Sequence, residues 1–204
     1  YLPAAPYQAP LNSIQVMQPS TETVWHNAAF SGLFQNNVLS TWGESEALLP
    51  TAHTFVKYSN NFQSRGVINF DEGRITIETI DGTMPIERLR EAVITTLLTP
   101  LDPIHVDLFS AAPNGPGTST PLLYGEVMGG NGQPMRWEGD TGAMADKLIQ
   151  ECRITRQVNV NGVNRLVHSV NIPLMPLNAS MRASKYSVHV EAYAKKYNLA
   201  TALI

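Results

Sequence analysis

The chain has 204 residues, 43% of them hydrophobic and 15% charged. That suits one ordinary domain with a real core and excludes a solvating, disordered chain. Lys and Arg number 14 against 17 Asp and Glu, a net charge of -3, and there is one cysteine, Cys152. The balance gives no general attraction to nucleic acid or anionic lipid, and the lone cysteine excludes an intrachain disulfide and a cysteine-rich zinc site. No run approaches the roughly 18–20 apolar residues of a membrane span. The first residue is Tyr1 and no signal peptide precedes it, so the chain reads as mature or trimmed.

Residues 1–19 hold Pro3, Pro6, Pro10 and Pro19 without apolar period, and read as an extended tail or linker. Ser20 or Thr21 can then cap a helix in which Trp25, Ala29, Leu33, Phe34, Val38 and Trp42 follow helical spacing and Gly43 offers a stop. The segment SRGVINFDEGRITIETI predicts a β-hairpin. Ile68 and Phe70 alternate on one arm, Ile75 and Ile77 on the other, and Asp71-Glu72-Gly73 forms the loop. In DGTMPIERLREAVITTLLTP, Pro85 suits a first helical turn, and Ile86, Leu89, Val93, Ile94 and Leu97 make one apolar face. Glu87, Arg88, Arg90 and Glu91 read as its solvated face.

A short helix is predicted over residues 103–109, then a Pro/Gly/Ser/Thr-rich loop over 111–121. LLYGEVM and PMRWEG around GGNGQ predict a second hairpin. Residues 141–155 predict a helix with Met144, Ala145, Leu148, Ile149 and Cys152 on one side. Asn161-Gly162 turns the chain into a long strand where Leu166, His168, Val170, Ile172 and Leu174 share a face, closed by Pro173 and Pro176. A further helix is expected over 178–197, and LATALI begins another. Hairpins between helices imply an α+β fold, with a largely antiparallel sheet and helices on one face.

The chemistry-bearing residues are sparse. His26, His53, His105, His168 and His189 form no zinc-like pair and adjoin no cysteine nucleophile. There is no P-loop or dinucleotide fingerprint, so no metal and no cofactor is expected. Cys152, on the apolar side of its helix, reads as a small core residue, and the sequon at Asn178 carries little weight. The binding candidates are Arg136, Trp137 and Glu138. An exposed Trp could stack on a sugar while the charges bond hydroxyls or a carboxylate; alternatively Trp137 faces the core of a strand and its neighbours face water.

Several stretches carry a resemblance: FVKYSNNFQSRGVINFDEGRITIETI, PIERLREAVITTLL with DPIHVDLFS, and PLLYGEVMGGNGQPMRWEGDTGAMADKLI. From about Trp42 onward the chain resembles the amino-terminal domain of the membrane-bound lytic murein transglycosylase C family, and ASKYSVHVEAYAKKYNLATALI resembles the start of that family's lysozyme-like catalytic domain. The region before Phe30 and the loop 111–120 depart from the pattern. The resemblance implies a curved sheet wrapped by helices, similar to nuclear-transport-factor-like and Tim44-like folds. With the proline-rich tail 1–19, the chain is expected to have three parts: that tail, the α+β domain 20–176 and a helical stub 177–204.

The family's enzymes cut the bond between N-acetylmuramic acid and N-acetylglucosamine, leaving a 1,6-anhydro end, with a single Glu as acid and then base. The resemblance places that Glu in an ES motif beyond Ile204, so no residue here takes the catalytic role and the chain as given is expected to be inactive. It implies a periplasmic, outer-membrane-associated parent held by a lipid anchor that this chain does not carry, with peptidoglycan strands or cell-wall proteins as partners and no nucleic acid. The accessory reading competes with a non-enzymatic structural or protein-adaptor domain in the periplasm. A self-sufficient enzyme would need a buried carboxylate of raised pKa in a pocket.

Overall fold

The computed structural model describes residues 32–49, 51, 53–101 and 120–176. The expected tail, the start of the first helix, the helix at 103–109, most of the loop after it, the helices beyond 177, and His26, His105, His189 and the Asn178 sequon lie outside the described residues. In chain order the elements are α1 (Gly32–Trp42), β1 (Thr54–Ser59), β2 (Ser64–Asn69), β3 (Arg74–Thr79), α2 (Pro85–Leu97), α3 (Glu138–Cys152), β4 (Ile154–Val160) and β5 (Val163–Pro173). The strands form one five-stranded sheet, ordered β1-β2-β3-β5-β4, and every neighbouring pair is antiparallel. The fold is α+β.

The β2–β3 hairpin forms where it is predicted, with Ile68 opposite Ile75 and Asn69 opposite Arg74. Gly73 takes φ 61°, which a side chain would resist, and the Asn69 carboxamide accepts from the N–H groups of Asp71 and Glu72. Two strands escape the sequence reading. β1 precedes a turn in which Asn60, Asn61 and Phe62 all have positive φ (51°, 50° and 65°). No glycine marks that turn; the Trp42 indole N–H, donating to the Phe62 carbonyl at 2.6 Å, helps hold it. β4 was hidden because its inward residues, Val158 and Val160, sit only at its far end. Asn161 (φ 52°) and Gly162 (φ 85°) make the tight turn into β5 that their sequence foretells.

The second hairpin is corrected. Only isolated bridges form there, Met128 with Pro134 and Tyr124 with Val127. The segment folds into turns instead, and drives Leu123, Val127 and Met135 into the core. The helix that follows begins earlier than predicted, at Glu138, with Trp137 as its extended N-cap residue.

Strand alternation divides the interior in two. On one face Ile68, Ile75, Ile77, Val170 and Ile172 pack against Leu89, Ala92, Val93 and Leu97 of α2 and Ala145 and Ile149 of α3. At about 25 cal/mol per Å2 of apolar area, each such Val, Leu or Ile side chain contributes roughly 1.5–3 kcal/mol when fully buried. Gly66 lets α2 approach: a Cβ there would lie 2.2 Å from the Thr96 hydroxyl oxygen. The charged face of α2 is not merely solvated, since Arg90 reaches across to Asp146 of α3 at 2.7 Å. Cys152 is exposed, a correction to its core assignment, because α3 turns its last residue away from the sheet. On the opposite face Val38 and Trp42 of α1 pack with Val56, Tyr58, Ile80, Val158, Val160 and Val167.

Candidate functional site

Arg136, Trp137 and Glu138 lie together where the chain enters α3, and all three are exposed. They do not alternate on a strand. Met135 just before them is buried and anchors the segment. Trp137 is 62% exposed, the most exposed large apolar side chain among the described residues. Its carbonyl accepts from both the N–H (3.1 Å) and hydroxyl (2.5 Å) of Thr141, which fixes its backbone while its ring stays in solvent. The Arg136 guanidinium carbon stands 5.1 Å from the ring centroid. Glu138 and Asp140 occupy the first turn, where the helix dipole favours negative charge. The arrangement offers an exposed aromatic ring with a cation 5.1 Å from its centroid and a carboxylate on the next residue.

A second constellation was missed by the sequence reading. On the α1 side of the sheet, Arg65 of β2 is only 2% exposed. Its Nε and Nη2 donate to the same Glu78 carboxylate oxygen at 2.8 and 2.6 Å, its Nη1 donates to the Glu46 carbonyl, and its guanidinium lies 3.8 Å from the centroid of a Trp42 ring. Arg156 of β4 joins the cluster through Nη2, which donates to Glu46 at 2.6 Å and to Glu78 at 3.2 Å. Three strands and the α1–β1 loop thus meet at two arginines and two glutamates. Strand pairing sets Arg65 opposite Glu78, and β5 carries β4 alongside so that Arg156 reaches the same carboxylate from two strands away; no sequence spacing announces them, and the one available signal was charge within the strands. The Arg156 hydrogen bond lowers the Glu46 pKa against its burial, and Glu46 in turn raises that of Arg156. Ser45, Glu46, Leu48, Arg65, Val67, Thr76, Glu78 and Arg156 line a recess of about 290 Å3 above this network.

A second recess, about 430 Å3, lies between the start of α2 and the β4–β5 hairpin, with Asp81, Arg165, Leu166 and His168 in its wall. Burial would raise the Asp81 pKa. The hydrogen bonds from the Thr83 hydroxyl and N–H, the Met84 N–H and the Asn60 amide outweigh it and hold the carboxyl at about 2. Burial, and then the charge of Arg153, lower the pKa of His168, whose Nδ1 meets the Thr155 hydroxyl at 2.9 Å. His53 lies at the surface, 3.2 Å from Asp71. Among the described residues no group of three His, Cys, Asp or Glu could hold a metal ion, and no helix is long and apolar enough to cross a membrane.

The family model described as membrane-bound lytic murein transglycosylase C, N-terminal domain, matches residues 21–185. Proteins named membrane-bound lytic murein transglycosylase C are similar over 173 residues, 85% of this chain: one from Cronobacter sakazakii is 43% identical. Those from Salmonella paratyphi B and Salmonella typhi are each 42% identical over the same length. The alignments cover 47% of each relative, so the chain spans about half the length of the curated relatives it matches. With the family model covering most of the chain and the antiparallel α+β sheet beneath it, this chain belongs to the membrane-bound lytic murein transglycosylase C family, through its N-terminal domain.

Proposed function

We propose that this chain is the accessory, murein-engaging part of a peptidoglycan lytic transglycosylase of the cell envelope, and that its parent works in the periplasm, held at the outer membrane. In this reading residues 20–176 are the accessory domain, residues 1–19 a linker and residues 177–204 the approach to a catalytic domain. The cut between N-acetylmuramic acid and N-acetylglucosamine belongs to that other domain. The observation that carries the reading is Trp137, which is 62% exposed on a fixed backbone with Arg136 against its ring and Glu138 beside it. The acidic groups at the recesses support an accessory role. Glu46 and Asp81 both have lowered pKa values, the opposite of what a general acid for glycosidic cleavage needs.

The test is co-sedimentation of the purified chain with isolated murein sacculi at two salt concentrations. Expected is pelleting that persists at the higher salt, and a roughly tenfold weaker association for Trp137→Ala, in line with one lost aromatic contact. A chain that stays in the supernatant at both salts refutes glycan engagement. The alternative is a protein adaptor, and the exposed Ile154, Val163 and Leu166 on the β4–β5 hairpin favour it. That reading predicts supernatant behaviour together with capture by a cell-wall protein that Leu166→Glu abolishes.

A further inference from the structure

We propose that the recess over Arg65 and Arg156 is a binding site for the terminal carboxylate of a short peptide, and that Glu46 occupies that site from within the chain when no ligand is bound. The inference rests on the murein reading only for the source of the peptide, since murein strands carry short peptides with free carboxylates.

The charges set the site up. Glu78 is committed to Arg65 through the bonds at 2.8 and 2.6 Å, and its side chain is 8% exposed. The remaining carboxylate, Glu46, comes from a loop and not from the sheet, and is 23% exposed. Its Oε2 lies 2.6 Å from Arg156 Nη2 and 3.8 Å from Arg65 Nη2. Without that one side chain, two guanidiniums face a single carboxylate, a net positive charge at the wall of a recess of about 290 Å3. The structure itself shows which group such a charge holds, because a carboxylate is already there.

Arg156 also has capacity to spare. Among the described residues, its hydrogen bonds to Glu46 and Glu78 both run through Nη2, so Nε and Nη1 engage neither partner. A side chain that only locked the loop would place more of its fork on partners, because an arginine holds a carboxylate best with two parallel N–H groups. Its side chain is 37% exposed and lines the recess. The rest of the lining suits a small peptide: Leu48 and Val67 offer apolar contact, and the Ser45 and Thr76 hydroxyls are polar partners for an amide. Thr76 already donates to Asn171 at 2.9 Å, which leaves its oxygen free to accept. A volume near 290 Å3 lies at the lower end of ligand cavities and holds about a dipeptide.

The test is calorimetric titration of the purified chain with acetyl-D-alanyl-D-alanine, with its carboxamide and with inorganic phosphate. Expected is saturable binding of the acid, at least tenfold weaker binding of the carboxamide, and no saturation by phosphate. Arg156→Gln should lose tenfold or more and Arg156→Lys a smaller factor, because a lysine keeps the charge without the fork. Glu46→Gln should tighten binding severalfold by removing the internal competitor, a change in the opposite direction from any variant that merely damages the fold. The comparison of acid and carboxamide needs no variant, so it stands even if a substitution lowers the melting temperature. The proposal is overturned by no saturation with the acid, by equal affinity for the carboxamide, by preference for phosphate, or by weaker binding in Glu46→Gln. Failure here leaves the murein reading intact when sacculi still pellet the chain through Trp137; loss of pelleting with dipeptide binding retained removes the murein reading, and with it murein as the source of the peptide, and leaves the carboxylate site standing.

Discussion

Replacing Arg65 by Met tests whether the buried ion network holds the sheet face together. Methionine keeps the apolar stem and much of the volume, but it removes both hydrogen bonds to Glu78, the bond to the Glu46 carbonyl and the stacking on Trp42. Glu78 would then keep only the 3.2 Å contact with Arg156 while its side chain stays 8% exposed. Removing one member of a buried ion pair costs about 3–5 kcal/mol, because the other charge is left without its solvent or its partner. For a domain of this size that lowers Tm by roughly 6–20 °C. Urea denaturation followed by tryptophan fluorescence measures the loss, since Trp42 sits against the replaced group. The double variant Arg65→Met/Glu78→Met should recover about 2 kcal/mol or more of it, because both charges are then gone. A single variant within about 1 kcal/mol of the parent, or a double variant that loses the sum of the two singles, would refute the reasoning.

Two further outcomes follow from packing and from pH. Gly66→Ala would place a Cβ 2.2 Å from Thr96 Oγ1 and 2.6 Å from Thr96 Cγ2, so overpacking should cost about 1–3 kcal/mol, and Gly66→Ala/Thr96→Gly should relieve the clash although the helix glycine costs about 1 kcal/mol of its own; additive losses in the pair would contradict that contact. Asp81, with its folded pKa near 2 below the ordinary 3.8, contributes stability that is complete above about pH 4 and is lost as pH falls through about 2. Asp81→Asn should flatten that acid limb by on the order of 1–2 kcal/mol after solvent screening, measured by urea unfolding at pH 2 to 6, and an unchanged limb would contradict the assignment.

The local devices could be read from the residues alone. Gly73 in its loop, Asn161-Gly162 before β5, Pro85 at the head of α2 and Gly43 past the end of α1 (φ 73°) each act through short-range sterics, and each stands where its sequence puts it. The apolar period of α2 likewise determined the face that buries Leu89, Val93 and Leu97. Tertiary context overruled weaker local signals. Residues 121–135 carry turn and β-like residues, yet they form isolated bridges because Leu123, Val127 and Met135 are drawn into the core instead. Trp137 followed from neither period. Its exposure came only with the buried Met135 on one side and the first turn of α3 on the other.

The chain order could not foretell that β3 pairs with β5, which sets Ile77 opposite Val170 and Glu78 opposite Ser169. That pairing, with β4 beyond it, carries Arg156 to within 3.2 Å of Glu78 although 78 residues separate them. Local chemistry is written in neighbouring residues, since backbone sterics and side-chain caps act within a few positions. The arginine–glutamate recess depends on long-range register, where every strand position fixes which face a charge meets, and so the folded sheet alone decided it.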